Sequence, residues 1–363
     1  MEGGGNPSQN INYGSLSGGQ HNNNDFNRLA GEEGKDLNFE AGSYKAAPEN
    51  PFWFELRMTG KCPERRAYHT SFGHNNRLFI HGGYDITNGT LDSLYMLDMA
   101  KVNDLENQSE TSTKKMLEWW RIETNGPQKP GPLAHHSSVV FGDKMYMFGG
   151  SGPRTQAQQM SDKPNASLWT LELKTMRWDP VIPRGDAQPE ARDDHTAVIY
   201  NNATMVVFGG FVEGGERTND IWRYHFKDNR WEQIVPQTSL APKPRAGHSA
   251  SVMGSQMIVF GGRDDDNERL NDLWSFSFEQ NTWTELLPKA GTPPCPRSGH
   301  SSSIYHCMVL VFGGILEVTH ELNDMHAYDL STGEWFIFYD EFGIGATLSA
   351  SPMKGGMFTG HLN

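Results

Sequence analysis

The stretch Met257-Ile258-Val259-Phe260-Gly261-Gly262 decides the fold of this chain, because versions of it recur along the sequence. Four apolar residues run without interruption and end on two glycines. A glycine pair follows an apolar run five times, with spacings of 67, 60, 52 and 52 residues between successive copies. The five copies are Gly82-Gly83, Gly149-Gly150, Gly209-Gly210, Gly261-Gly262 and Gly313-Gly314. A period of about 50 residues predicts a repeat protein.

Each copy belongs to a longer unit whose parts keep one order. Around Gly261 the order is Pro244-Arg245-Ala246-Gly247-His248, the apolar run, Leu270-Asn271-Asp272-Leu273-Trp274, and Trp283-Thr284-Glu285-Leu286. Residues 296–338 repeat this order. Four short runs separated by turn residues predict one four-stranded antiparallel sheet per unit. Because one such sheet cannot bury both of its faces, we expect the sheets to pack radially as the blades of a propeller.

The double glycine, the aromatic residue about a dozen positions later and the tryptophan beyond it resemble the signature of the kelch family. The resemblance covers nearly everything after Pro51. It implies an all-β, kelch-type β-propeller of the galactose oxidase/kelch superfamily. We interpret the ten glycines as structural, and we expect one core tryptophan per blade at Trp178, Trp231, Trp283 and Trp335, with Trp119 or Trp120 in the first unit.

The two ends of the chain predict how the ring closes. Residues 52–56 resemble the fourth strand at 282–286, and residues 346–360 resemble the first two strands of a blade. We therefore predict six four-stranded blades, the last incomplete and closed by the N-terminal strand, in a chain that is itself a fragment of a longer product. Residues 1–49 are rich in Asn, Gly and Ser and are predicted to be a disordered tail. Residues 50–363 are predicted to be the propeller.

Composition narrows the class of partner. The formal charge of -13 and the pI near 5.5 disfavour nucleic acid and anionic membranes, and no basic patch opposes this. The three cysteines show no CxxC pair, and no signal peptide precedes the repeats, so we expect a cytoplasmic protein.

The candidate catalytic and metal residues are better explained by the repeat. His69, His136, His195, His248 and His300 occupy matching positions, and Arg65, Arg192, Arg245 and Arg297 recur together with Asp220, Asp272 and Asp324. We interpret these as turn histidines and structural charge pairs. Some relatives in the kelch family, the plant specifier proteins, hold iron with Glu, Asp and His spaced four residues apart. The nearest spacings here, Glu216 with Asp220 and Glu268 with Asp272, continue to Tyr224 and Phe276 where histidine is needed, so this iron site is not expected. We predict no metal, no cofactor and no catalytic residue. The alternative is a regulatory propeller of a longer enzyme, such as a kelch-containing serine/threonine phosphatase.

A protein partner is expected on the end of the propeller that carries the most variable loops. These loops are residues 84–91, 151–167, 211–219, 263–270 and 315–322. Loops that differ in length and charge over a repeated scaffold are typical of recognition surfaces. We predict that the chain is an adaptor or scaffold whose partner contacts Phe211, Arg217, Arg263, Asp265 and Arg269.

Overall fold

The computed structural model describes residues 58–100, 117–153, 168–212, 214–317 and 320–339. Within these ranges the chain forms strands and turns and no helix. None of the described residues therefore forms a helix long and apolar enough to span a membrane.

The strands form five blades, each a four-stranded antiparallel ladder in chain order. Blade 1 consists of β2 (Thr70–His74), β3 (Arg77–His81), β6 (Leu94–Asp98) and β7 (Leu117–Ile122), with β1 (Met58–Gly60) beside β7 and a small hairpin of β4 (Tyr84–Asp85) and β5 (Gly89–Thr90). Blade 2 consists of β8 (Ser137–Phe141), β9 (Lys144–Phe148), β10 (Leu168–Glu172) and β11 (Arg177–Val181). Blade 3 consists of β13 (Thr196–Tyr200), β14 (Thr204–Val212), β15 (Arg217–His225) and β16 (Arg230–Ile234), with β12 (Arg192–Asp193) also paired to β14. Blade 4 consists of β17 (Ser249–Met253), β18 (Gln256–Arg263), β19 (Arg269–Ser277) and β20 (Thr282–Glu285), and blade 5 consists of β21 (Ser301–Tyr305), β22 (Met308–Glu317), β23 (His320–Asp329) and β24 (Glu334–Tyr339).

The kelch propeller predicted from the sequence is confirmed, but the described residues form five blades where six were predicted. Both pieces expected to build the sixth blade, residues 52–56 and 346–360, lie outside the described residues, as does the tail predicted at 1–49. A short parallel strand lies beside the fourth strand of blade 1, where β1 pairs with β7. Single parallel bridges occupy the same place in other blades, including those between Asn125 and Arg177 of β11 and between Ala290 and Glu334 of β24.

The core lies between the blades. In blades 3 and 4 the second strand is the most buried, and in blade 3 Met205, Val206, Val207 and Phe208 are all at most 1% exposed. The repeated tryptophan packs across each junction: the ring of Trp283 lies 5.0 Å from Phe208 of the preceding blade and 5.0 Å from Phe276 of its own. In blade 1 the buried tryptophan is Trp119, whereas Trp120 is 50% exposed.

The double glycine joins neighbouring blades. Both glycines have positive φ, 65° and 91° at Gly149 and Gly150. The Gly150 N–H donates to the Arg192 carbonyl of the next blade at 2.9 Å. A Cβ at Gly149 would lie 2.4 Å from that same carbonyl oxygen, so only glycine fits this close approach.

Candidate functional site

One end of the propeller carries the connections from the second to the third strand of each blade and from each fourth strand to the next blade. We call this end the top face. Antiparallel pairing puts both sets of connections at the same end. The first strands of adjacent blades lie against one another around the central axis. Side chains that precede these first strands therefore surround the axial opening of the top face.

A run of four backbone hydrogen bonds, from blade 1 to blade 5, borders this opening in the described part of the chain. It passes through the residue before each repeated histidine, a set that we call the axial ring: Tyr68, His135, Asp194, Gly247 and Gly299. The N–H of each member from His135 onward donates to the carbonyl of the previous member, over 2.8–3.1 Å. All five residues have positive φ between 50° and 68°. The sequence analysis did not predict this ring. Its members could have been recognised as the positions that differ between repeats immediately before the repeated histidine.

A second set of variable positions lies farther from the axis. The residue after each double glycine pairs with the residue two before each repeated histidine, and we call this set the outer ring: Tyr84, Ser151, Phe211, Arg263 and Ile315. Its residue types differ in every blade, while the glycines and histidines beside it are constant. The top face is thus a constant backbone frame with variable side chains at two radii.

The five residues predicted to bind a partner are brought together on the top edges of blades 3 and 4. Phe211 and Arg217 are opposite each other in the ladder, with the guanidinium carbon 5.5 Å from the ring centroid, and Arg263 is opposite Arg269. The Arg217 N–H donates to Asp265 Oδ1 at 3.0 Å, across the junction between the two blades. Arg217 and Asp265 are therefore also part of an inter-blade contact.

Four of these residues were expected in loops but lie in strands. Pairing resumes after the register shift between Phe208 and Gly210, so β14 and β15 extend through Phe211 and Arg217. The same shift in blade 4 places Arg263 and Arg269 at strand ends. Backbone hydrogen bonding after the bulge thus shortens the loops and fixes the side chains. The Nε atoms of Arg217, Arg263 and Arg269 are buried without a hydrogen-bond partner among the described residues.

The acidic loop of blade 4, residues 264–268, is fixed by contacts of the Asp264 side chain. Asp264 Oδ1 accepts the N–H groups of Asp266 and Glu268, both at 3.1 Å, and Asp264 Oδ2 lies 2.9 Å from Lys243 Nζ. The Asp264 side chain is only 5% exposed. Its carboxylate is thus engaged by protein donors, and in the described part of the chain no group of three His, Cys, Asp or Glu side chains could hold a metal ion.

The repeated histidines bridge adjacent blades. His195 Nε2 lies 2.7 Å from Ser137 Oγ, and the corresponding pairs are His136 with Thr70, His248 with Thr196, and His300 with Ser249, over 2.8–3.0 Å. Burial, followed by the neighbouring arginine, lowers the pKa of His195 and of His300 to about 3. These four rings are therefore neutral at physiological pH and serve as inter-blade hydrogen-bonding groups.

The repeated arginines hold charge pairs inside single blades. Arg245 is fully buried, donates to both carboxylate oxygens of Asp272 at 2.8 Å, and also donates to the Gly261 carbonyl. Burial alone would raise the pKa of Asp272, but the hydrogen bonds and charge of Arg245 hold it below its ordinary value. Arg192 with Asp220 and Arg297 with Asp324 form the same arrangement.

Blade 1 departs from this arrangement, and the prediction that Arg65 is its repeated arginine is wrong. The arginine in the repeated position is Arg66, not Arg65, since Arg66 Nη1 donates to the Gly82 carbonyl at 2.8 Å. Ser93 stands where blades 3, 4 and 5 have aspartate, and Arg66 pairs instead with Glu64 at 2.7 Å. The residue before its double glycine is also exceptional, because His81 replaces phenylalanine.

His81 lines a small polar pocket between blades 1 and 2, with a volume of about 100 Å³. Burial lowers the pKa of His81 to about 4. Its Nδ1 lies 3.2 Å from His136 Nε2. Asp92, Ser93, Arg121, Glu123 and Lys129 contribute both signs of charge to the lining, so the pocket selects no obvious class of ligand.

Comparison with known proteins agrees with this geometry. The profile of the KLHDC2/KLHL20/DRC7 Kelch-repeats domain matches residues 21–234 and 158–341. The chain belongs to the Kelch-repeat family, as its sequence indicated. It is 30% identical to Kelch domain-containing protein 3 of Rattus norvegicus over 263 residues, which are 69% of this chain and 62% of that protein.

Two other relatives are much longer proteins. Identity is 28% over 317 residues to the leucine-zipper-like transcriptional regulator 1 homolog of Drosophila melanogaster, covering 84% of this chain and 29% of that protein. It is 27% over 228 residues to the flagellar outer arm dynein alpha chain of Chlamydomonas reinhardtii, covering 60% of this chain and 5% of that protein. The chain thus spans less than two thirds of each of these three relatives.

Proposed function

We propose that this chain is a protein-interaction module, an adaptor or scaffold that holds a protein partner against the top face. One observation carries the proposal. Tyr, Ser, Phe, Arg and Ile follow the double glycines of the five blades, and Tyr, His, Asp, Gly and Gly precede the repeated histidines. Variable side chains on a rigid, repeated frame are typical of a recognition surface.

The charge of the chain supports a protein as the partner. With a net charge of -13, the surface repels phosphate backbones and anionic lipid on average. We therefore propose neither nucleic acid nor a membrane as the target, and no cofactor or catalytic residue takes part. The three cysteines are free thiols, which is typical of a reducing compartment, and we propose a cytoplasmic location.

The second candidate is a regulatory propeller within a longer enzyme, such as a kelch-containing serine/threonine phosphatase. It is favoured by the comparison with relatives, because the matched region makes up only 5–62% of three of them. In that case the top face would dock a substrate or another domain instead of an independent partner.

The test is affinity capture from cell extract with the full chain and two double variants. Phe211→Ala with Arg269→Ala alters the top face while keeping the hydrogen bond from the Arg217 backbone N–H to Asp265 across the blades. Lys227→Ala with Glu279→Ala, two exposed residues on the opposite end, is the matched control.

A protein captured by the wild type and by the control, but not by the top-face variant, is the expected result. Equal capture by both variants would overturn the assignment to the top face. Capture of a catalytic domain or of its substrate by the top face, with no other partner, would favour the second candidate.

A further inference from the structure

The axial ring is divided into two unlike halves. Blades 4 and 5 contribute Gly247 and Gly299, whereas blades 1 to 3 contribute Tyr68, His135 and Asp194 at φ of 57°, 60° and 50°. A side chain in this left-handed region is unfavourable by about 1–2 kcal/mol, and glycine avoids that cost. Since Gly247 and Gly299 make the same backbone hydrogen bonds, the three side chains are not needed to form the ring.

The three side chains contact one another in sequence. The Tyr68 and His135 rings are stacked, with centroids 3.8 Å apart and planes 21° apart. His135 Nδ1 lies 2.6 Å from Asp194 Oδ1, so this nitrogen carries the proton and donates it. In the neutral imidazole, Nε2 then presents a lone pair. Tyr68 remains 44% exposed, which leaves part of its ring surface accessible.

Negative charge accumulates beside this contact. Asp193 adjoins Asp194 and pairs in register with Phe211, which is 37% exposed. Arg263 Nη2 lies 4.0 Å from Asp194 Oδ2, at the limit of an ion pair. Arg192 is committed to Asp220 at 2.6 Å. Burial, and then the charge of Asp194, raise the pKa of Asp193, while His135 and a hydrogen bond with Ser151 oppose that rise.

On blades 4 and 5 the two members of the axial ring, Gly247 and Gly299, carry no side chain. A Cβ built at Gly299 would meet no atom within 4 Å, and one at Gly247 would meet only Ser298 and Gly299, at 3.4 Å and beyond. A segment of another protein can therefore approach the axis from blades 4 and 5 and meet Tyr68, His135 and Asp194 across the opening.

We propose that this axial opening binds a basic side chain, lysine or arginine, of the protein partner. The Asp193 and Asp194 carboxylates accept charge-assisted hydrogen bonds, the exposed Tyr68 ring offers a cation–π contact, and His135 Nε2 accepts a further hydrogen bond. This inference rests on the proposed function, because it names the chemical group through which the top face recognises a protein.

The probe is a library of random 12-residue peptides displayed on phage and selected on the immobilised full chain. Asp194→Asn removes the charge and keeps the shape, and asparagine tolerates positive φ well. Asp228→Asn makes the same chemical change at an exposed position on the opposite end of the propeller. Thermal melts of both variants check that the fold is retained.

We expect peptides selected on the wild type and on Asp228→Asn to share one lysine or arginine, and Asp194→Asn to bind the best peptide about 10-fold more weakly or worse. Replacing that basic residue with glutamine should weaken binding to the wild type by a similar factor and leave binding to Asp194→Asn nearly unchanged. Such coupling would not arise from a merely structural role of Asp194.

Two results would overturn the inference and can be told apart. Peptides that share no basic residue, or that bind Asp194→Asn as well as they bind the wild type, would reject the basic side chain while leaving peptide binding by the top face intact. A selection that enriches no peptide over an uncoated surface would reject this inference and count against the proposed function as well.

Discussion

His195 joins blade 3 to blade 2 through a 2.7 Å hydrogen bond between its Nε2 and Ser137 Oγ. The imidazole is 7% exposed and lies edge-on to Phe148, with the ring centroids 5.2 Å apart. One side chain thus closes a polar contact near the axis and an apolar contact in the core between two blades. Equivalent pairs at the other described junctions make histidine neutrality a requirement of the fold.

The first prediction concerns pH. The pKa of His195 and His300 is about 3 in the folded chain against an ordinary value of 6.5, so below about pH 6.5 the unfolded chain binds more protons. Stability should be complete above pH 6.5 and fall as the pH falls, by about 1.4 kcal/mol per pH unit for each histidine. Urea unfolding followed by tryptophan fluorescence at pH 7, 6 and 5 measures the slope. His195→Gln should flatten it, and an unchanged unfolding free energy from pH 7 to 5 would contradict the prediction.

The second prediction concerns His81, which occupies the position of Phe148, Phe208 and Phe260 in other blades. Its pKa of about 4 adds to the loss of stability in acid. His81→Phe should therefore stabilise the protein at pH 5 by about 2 kcal/mol more than at pH 7. Phe208→His is the reverse control and should make the protein less stable and more sensitive to acid. Equal effects of His81→Phe at both pH values would show that His81 does not titrate differently on folding.

The third prediction separates close approach from backbone conformation. Gly149 and Gly254 have similar φ, 65° and 59°, but a Cβ at Gly149 would lie 2.4 Å from the Arg192 carbonyl oxygen, whereas one at Gly254 would meet nothing within 4 Å. Gly254→Ala should cost about 1 kcal/mol of unfolding free energy, from positive φ alone. Gly149→Ala should lower the unfolding free energy by about 1–3 kcal/mol more, because the two blades must separate to make room for the Cβ. Chemical denaturation of both variants tests this, and equal losses would refute the role of the glycine pair at the junction.

The fourth prediction concerns the buried pair of Arg245 and Asp272. Asp272→Ala leaves the fully buried guanidinium without its carboxylate and should destabilise the chain by about 3–5 kcal/mol. Blade 2 has Leu133 and Ser167 at the two corresponding sequence positions. The double variant Arg245→Leu with Asp272→Ser copies that blade and should cost less than Asp272→Ala. A double variant that is as damaging as the sum of its single changes would indicate that the two residues act independently.

The repeat by itself determines much of this molecule. An uninterrupted apolar run ending in two glycines requires a strand covered on both faces and a turn with positive φ, and both requirements are local. The four-stranded units and the core position of Trp178, Trp231, Trp283 and Trp335 follow from them. The choice of Trp119 over Trp120 did not, because alternate residues of a strand face opposite sides and only the neighbouring blade decides which side is buried.

The location of the candidate site could be predicted from the sequence, but its contacts could not. The five residues expected to bind a partner do lie together, since the period of the repeat places equivalent positions of adjacent blades side by side. Their contacts were not predictable: the hydrogen bond from Arg217 to Asp265 joins residues 48 positions apart through the packing of two blades. The identity of the blade 1 arginine was also misjudged by one position, because the local sequence offers Arg65 and Arg66 and only the hydrogen bond to Gly82 distinguishes them.

The sequence by itself therefore determined the repeating unit, its strands and its family, because these depend on residue patterns within about 50 positions. Only the tertiary structure decided what the top face presents. Closing the blades around an axis places Tyr68, His135 and Asp194, from three different repeats, in direct succession. Such succession depends on the angle and spacing between blades, which no single repeat contains.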